Sequence, residues 1–377
     1  MYFQREFLRL AAAWPTGGTL KLDLPTTGFL GSILVHARRA GVTDAFNALE
    51  KWRLIDYINK IEVIANGSTI IKSITGEVAK ALAFFDGGGS APDQEFNYGS
   101  STKRAHFPIN FGRRLFDPRM YLDLSRFSKV EVQLTNDGAA AQFAGDWTVD
   151  LLCYYLRGTG VPPSLGYMRT EEWRKITTVQ NKREYLDLPT ELPIRRLILQ
   201  VLSAVGATEN ASTTPYNVLD DIELYLKSKA TKVLDYSLRD LWYENYFDYG
   251  KQALAALEPY HTGGQGVKTG LGQALAKAIG QMPQGGTPGA ATVALEPGND
   301  GQTQKLLRTG TDNYSMIMLG LALENCAVIR FDHDLEDPST WLDPNAEKVV
   351  NLDLHTADAS SAADGTIRVI TDRLVRV

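Results

Sequence analysis

The segment FDHDLED, Phe331–Asp337, places Asp332, Asp334 and Asp337 close together. Oxygen-rich loops of this kind ligate hard cations such as calcium. The plainer reading is a solvated turn ahead of Pro338. That reading is preferred, so no metal is assigned.

Other chemistry-bearing patterns fall short of their templates. A phosphate-binding loop needs G-x-x-x-x-G-K-[ST]. Here Lys268-Thr269 follows Val267, and Gly263 and Gly266 are out of place. A dinucleotide fingerprint fails as well, because Gly264-x-Gly266 is followed by Gly270, one residue late. There is no G-x-S-x-G elbow for an esterase serine. The five histidines (His36, His106, His261, His333, His355) are scattered, whereas a cupin-type metal centre needs them clustered. Asp86 and Asp248 could pair as the two carboxylates of a glycosidase. They recur at matched places in two halves of the chain, which points to a role in ending a helix. No catalytic, cofactor-binding or metal residue is therefore assigned, and no cofactor.

Arg113, Arg114 and Arg119 lie among aromatics in FGRRLFDPRMYLDL. They could meet phosphates or lipid head groups, but an interface loop with salt bridges is preferred. Trp147, Trp173, Trp242 and Trp341 read as core or interface anchors. Cys153 and Cys326 sit in apolar runs and read as reduced, buried thiols. The 377 residues carry a net charge of −5 with mixed signs, which disfavours nucleic-acid binding by charge and gives no sign of sequence-specific binding. MYFQREFLRL does not read as a secretory signal. No run of about 18 apolar residues is present to span a membrane.

The elements that must carry these residues are written twice. LDLPT stands at Leu22–Thr26 and again at Leu186–Thr190, an offset of 164. IEVIANG from Ile61 matches IELYLKS from Ile222, an offset of 161. Phe85-Asp86 matches Phe247-Asp248, an offset of 162. The offset then jumps. KVEVQL at Lys129 matches KVVNLDL at Lys348, an offset of 219, and TVDLL at Thr148 resembles TIRVI at Thr366. The second copy thus holds about 57 extra residues between Asp248 and Leu342, the difference between offsets of 219 and 162. Residues 263–310, rich in Gly, Ala, Gln and Pro, read as that insertion, with a short helix in LGQALAKAIGQM.

Val130, Val132 and Leu134 alternate with polar residues as in a half-buried strand. Asn66-Gly67 suits a two-residue hairpin turn; the second copy has Lys227-Ser228-Lys229 there and must turn differently. A helix follows each hairpin, GEVAKALAFF and then SLRDLWYENYF with Ser237 as its cap. The boundary falls in RGTGVPPSLGYM, Arg157–Met168. The pattern is all-β: two tandem sandwiches of short strands. The divisions are an N-terminal arm (1–16), a first sandwich (17–160), a linker (161–170) and a second sandwich (171–377).

Two tandem sandwiches, a helix inside each, a Pro-rich joint and a long loop in one copy resemble a double jelly-roll major capsid protein. This family forms shells of tailless icosahedral viruses, among them bacteriophages with an internal membrane. IEVIANGSTIIKSITGEVAKALAFFD and FGRRLFDPRMYLDLSRFSKVEVQL are similar to its members. The resemblance implies two eight-stranded jelly rolls and no enzyme activity. It implies homotrimers that stand as pseudo-hexagonal capsomers and meet neighbouring capsomers, penton and minor capsid proteins. The chain would reside in the virion after assembly in the host cytoplasm. The arm bearing Tyr2, Phe3, Arg5, Phe7 and Arg9 would reach neighbours or the internal membrane, and the loop from Gly263 would lie at the outer end. Exposed aromatics such as Tyr98, Phe107 and Phe111 would serve interfaces. The competing readings are a two-domain β-sandwich carbohydrate-active enzyme or carbohydrate-binding protein, and a surface adhesin.

Overall fold

The computed structural model describes residues 1–41, 54–87, 93–95, 102–137, 143–202, 218–250, 253–257, 273–274, 277–284, 292–297, 304–309, 313–320, 322–358 and 364–376. Sixteen strands build two units of the same design. The first unit holds β1 (Tyr2–Trp14), β2 (Thr19–Asp23), β3 (Phe29–Gly41), β4 (Ile58–Ala65), β5 (Thr69–Ile74), β6 (Thr102–Asn110), β7 (Val130–Asn136) and β8 (Phe143–Arg157). The second holds β9 (Tyr167–Thr177), β10 (Arg183–Asp187), β11 (Ile194–Leu202), β12 (Leu219–Leu226), β13 (Thr231–Ser237), β14 (Cys326–Arg330), β15 (Val350–Thr356) and β16 (Thr366–Val375). Helix α1 (Gly76–Asp86) follows β5, and α2 (Leu238–Tyr249) follows β13.

In the first unit the strand orders are β1-β8-β3-β6 and β2-β7-β4-β5. In the second they are β9-β16-β11-β14 and β10-β15-β12-β13, the same orders eight strands later. This is the jelly-roll order, twice. The repeated LDLPT holds the same hydrogen bond in each copy. Leu24 N donates to Val130 O at 2.8 Å, and Leu188 N donates to Val350 O at 2.9 Å. Both leucines are buried beside exposed Asp23 and Asp187, and Pro25 and Pro189 follow the strands without a ladder donor.

The hairpin turns differ between copies. Asn66 and Gly67 take positive φ in the first, whereas Lys227, Ser228 and Lys229 all do so in the second. The expected Ser237 cap forms, its hydroxyl accepting from Asp240 N at 3.1 Å, and Thr75, not singled out in the sequence, caps α1. Each unit has its own apolar core, with Trp14 and Trp147 packed 4.9 Å apart in the first and Trp242 buried in the second.

Several expectations need correction. Residues 1–16 are no arm: Tyr2–Trp14 pairs antiparallel with β8 as an edge strand. Its side chains read as an arm because an edge strand packs little, yet its backbone is bound and Trp14 is fully buried. Phe107 and Phe111 are 1% and 0% exposed: Phe107 points inward from β6, and Phe111, just past its end, is held by its N–H donating to Gly31 O at 2.9 Å. Tyr98 lies outside the described residues, as does most of 263–310. Within LGQALAKAIGQM the described residues form no helix; Lys277–Gln284 is a strand paired with Asn313–Gly320. Gly270, Gly272 and Gly280 weaken a helix there, and the partner strand supplies the backbone bonds instead. Trp173 is only half-buried, with its ring 5.5 Å from the Arg174 guanidinium.

Candidate functional site

The most charged buried region is the junction between the two units. It begins with a shared sheet. The edge strand β5 of the first unit pairs parallel with β9 of the second, Lys72 beside Thr170 and Ser73 beside Glu171. Two four-stranded sheets thereby become one of eight, β2-β7-β4-β5-β9-β16-β11-β14. Fusing two edges removes two rows of unpaired backbone groups.

Helix α1 packs mainly on β6 and β4 of its own unit and reaches the second unit's half of that sheet through Glu77 and Asp86. Strand β11 is buried on both faces, except at its end. Ile194, Leu197, Leu199 and Val201 point to the second core. Ile198, with Val328 and Ile370, joins the first unit's apolar cluster instead. Gln200 donates to Glu77 of α1 at 2.8 Å.

Arg195 and Arg196 start β11 and lie almost wholly buried. Arg196 reaches Asp86, at the end of α1, at 2.8 Å and Asp372 of β16 at 3.0 Å. Arg195 reaches Asp332 at 2.6 Å, Asp86 at 3.1 Å and Asp372 at 3.4 Å. Lys72 donates to Thr170 Oγ1 at 2.6 Å, and Thr170 donates onward to Asp372 at 2.7 Å. Burial pulls the Lys72 ammonium down to about 8, although Asp372 and Asp86 favour its charge. Burial also works against the Asp372 carboxylate, but Arg196, Arg195 and Lys72 hold its pKa below the ordinary value. The same contest leaves Arg196 raised, with Asp86 and Asp372 outweighing burial. Charges this deep persist only when paired.

A second layer uses the two charged segments singled out in the sequence. Arg113 grips Asp117 with two contacts, of 2.7 and 2.9 Å, and donates to the Leu335 carbonyl across the junction. Glu336 lies 3.4, 3.6 and 3.9 Å from Arg113, Arg114 and Arg119. The arginine-rich piece and FDHDLED are thus partners of each other. Met120, Met168, Trp341 and Leu374 plug the gap with a small apolar cluster.

Asp332, Asp334 and Asp337 do not converge as ligands. Asp332 is occupied by Arg195 and Arg330, Asp334 accepts from Glu336 N, and Asp337 caps a short turn through Ser339 N. A different acidic group does come together: Asp56, Glu77 and Glu324, whose carboxylate oxygens all lie within 4.8 Å of one another. Lys80, 3.6 Å from Glu324, and Arg368, 3.8 Å from Glu77, answer its charge. The sequence could not reveal it, because its members are far apart in the chain. Among the described histidines, His36 and His106 face each other on β3 and β6, ring centroids 4.6 Å apart. Both cysteines are buried free thiols, and burial pushes Cys153 up to about 11.

Asp86 exceeds its expected role. It ends α1 as foreseen, but its carboxylate also joins Lys72 as the first unit's share of the charged core. Asp248 does not copy it; its backbone carbonyl accepts from Arg330 at 3.4 Å. The one cavity lined by Lys72, Asp86, Thr170, Arg196 and Asp372 measures about 20 Å³, room for roughly one water. The chemistry of the junction is adhesion between units.

No protein-family model matches this chain, and no curated protein sequence matches it. Solved structures do match in shape. The structure of Sulfolobus turreted icosahedral virus has a chain that superposes with a TM-score of 0.59 at 12% identity, covering 99% of this chain and 91% of that one. The major capsid protein of bacteriophage PM2 gives 0.53 at 12% identity, with 99% and 98% covered. The PBCV-1 virus capsid gives 0.59 at 9% identity, with 99% and 93% covered. Sequence likeness this low speaks to architecture, and the architecture is met over nearly the full length of both chains. This chain has the double jelly-roll fold.

Proposed function

We propose that this protein is the major capsid protein of an icosahedral virus, a structural subunit rather than an enzyme. The observation that carries the reading is the fusion of two jelly rolls through a shared sheet and a buried charge cluster. Such a joint makes the pair one stiff block, which suits a shell. The full-length likeness to capsid structures supports it.

In the finer reading, three chains close into a pseudo-hexagonal capsomer. Capsomers meet one another and penton and minor proteins in a virion assembled in the host cytoplasm, over an internal membrane. The divisions that go with it are a joint at 161–170 and an insertion at 263–310 on the outer side. The resemblance to internal-membrane bacteriophage subunits supports these points. Purified protein should run as a trimer of about 125 kDa, three chains of 41.6 kDa, and should not dissociate on dilution, because permanent interfaces are large. A stable monomer that binds or hydrolyses glycans would refute the reading.

A further inference from the structure

Two histidines that stand 70 positions apart in the chain meet on one face of the first unit. His36 of β3 and His106 of β6 are direct cross-strand partners, and their rings stand edge to face with centroids 4.6 Å apart. The pairs on either side, Leu34 with Pro108 and Arg38 with Arg104, keep the same register. In the order β1-β8-β3-β6, strand β6 is the edge of its sheet. His106 is exposed there and His36 is half-buried, so the pair is reached from water on one side.

Packing alone does not account for this pair. His36 Nε2 is shut off from water and has no hydrogen-bond partner among the described residues. A buried nitrogen left in that state costs free energy unless something binds it. The nearest carboxylate does not answer it. Asp150 stands opposite His36 on β8, but its oxygens accept from Arg38 at 2.8 Å and from Ala11 N at 2.7 Å. That pairing also meets the charge of Arg38, which would otherwise oppose a cation beside the rings. Directly opposed side chains on antiparallel strands have Cβ atoms about 4.5–5.5 Å apart. A rotation of the exposed His106 ring therefore suffices to bring one nitrogen of each ring to within about 2.0–2.1 Å of a common metal ion.

We propose that His36 and His106 form a two-imidazole site for a divalent transition-metal ion such as zinc or copper, with water completing the coordination. Imidazole suits these ions, whereas calcium and magnesium take oxygen ligands. The ion uses the orphaned Nε2 of His36 and ties the edge strand β6 to β3. Because it binds the folded chain, it stabilises the first unit. The site lies wholly within the first unit's own sheet, so it stands or falls independently of the shell-forming reading.

Calorimetric titration of the purified full-length chain with zinc chloride tests it. Wild type should show a binding heat that His36→Gln and His106→Gln each lose, and zinc should raise the melting temperature of wild type but of neither variant. His106 is exposed, so His106→Gln should keep the wild-type circular dichroism spectrum. Should His36→Gln fail to fold, copper replaces that arm. Electron paramagnetic resonance with one equivalent of copper(II) should show two coupled imidazole nitrogens in wild type and fewer in His106→Gln. Absence of a zinc heat in wild type would overturn the proposal, leaving a water as the partner of His36 Nε2. A zinc heat unchanged in either folded variant would overturn it too, and so would a copper signal that His106→Gln does not alter.

Discussion

Arg196, in the second jelly roll, lies 2.8 Å from Asp86, at the end of a helix in the first. Both side chains are nearly inaccessible, and the pair ties together residues 110 positions apart. Replacing Asp86 by Ala leaves two buried guanidinium groups short of a partner. Loss of one member of a buried pair costs about 3–5 kcal/mol. Denaturant unfolding of Asp86→Ala should show a loss of this size. A combined Asp86→Leu, Arg196→Met variant should be more stable than Asp86→Ala; an equal or greater loss would contradict the pairing.

Lys72 gives the junction a pH signature. Its pKa is about 8 in the folded chain, below the ordinary value of 10.5. Between those values the unfolded chain binds more protons, so this residue's contribution to stability rises with pH. Below about 8 both states are protonated and the contribution is flat. The stability of wild type relative to Lys72→Met should therefore grow from pH 8 to 10.5, by up to about 3 kcal/mol at about 1.4 kcal/mol per unit. Urea midpoints at several pH values report it. A difference that stays constant would place the lysine in water.

Gly166 begins β9 with a φ of +136°, and a Cβ there would stand 2.1 Å from the Val375 carbonyl oxygen. Neither the space nor the backbone conformation admits a side chain. Gly166→Ala should cost on the order of 2–4 kcal/mol through strain and displacement of β16. A melting temperature within a degree of wild type would contradict the close approach. Gly67→Ala serves as the control for backbone strain alone, since Gly67 has a φ of +76° but nothing within 4 Å of its would-be Cβ, and it should cost less than Gly166→Ala.

Ser237 caps α2 by accepting from Asp240 N at 3.1 Å. Ser237→Ala should cost about 1 kcal/mol. The loss should be visible in thermal unfolding, with no change in the β-sheet circular dichroism.

The repeat was legible because its marks are local. LDLPT combines a two-residue period with a proline that stops the strand, and the cap of α2 is read from a single serine. The junction was not legible. Arg195 and Arg196 sit in RRLILQVL, which reads as one apolar strand with a charged start. Nothing local says that its second face also meets a protein surface. Asp86 looked like a helix end because its partners lie more than 100 residues away. FDHDLED and the arginine piece were both noticed for their charge, but sequence spacing carries no sign that they face each other. The first strand was misread for a related reason: Tyr2, Phe3, Arg5, Phe7 and Arg9 lie on an edge, where few side chains are buried to set a period.

Strand β16 is the last strand in chain order, yet it lies between β9 and β11 in the middle of the shared sheet. During synthesis, β9 and β11 begin 199 and 172 residues before the strand that bridges them, which starts at Thr366. The first jelly roll has all its strands by Arg157 and can close while the chain is still growing. The second cannot. Its sheet, the carboxylate of Asp372 and the burial of Arg196 arrive together, once β16 has been made. The order of strands along the chain thus works as a clock that holds the two-unit block back until β16 has emerged.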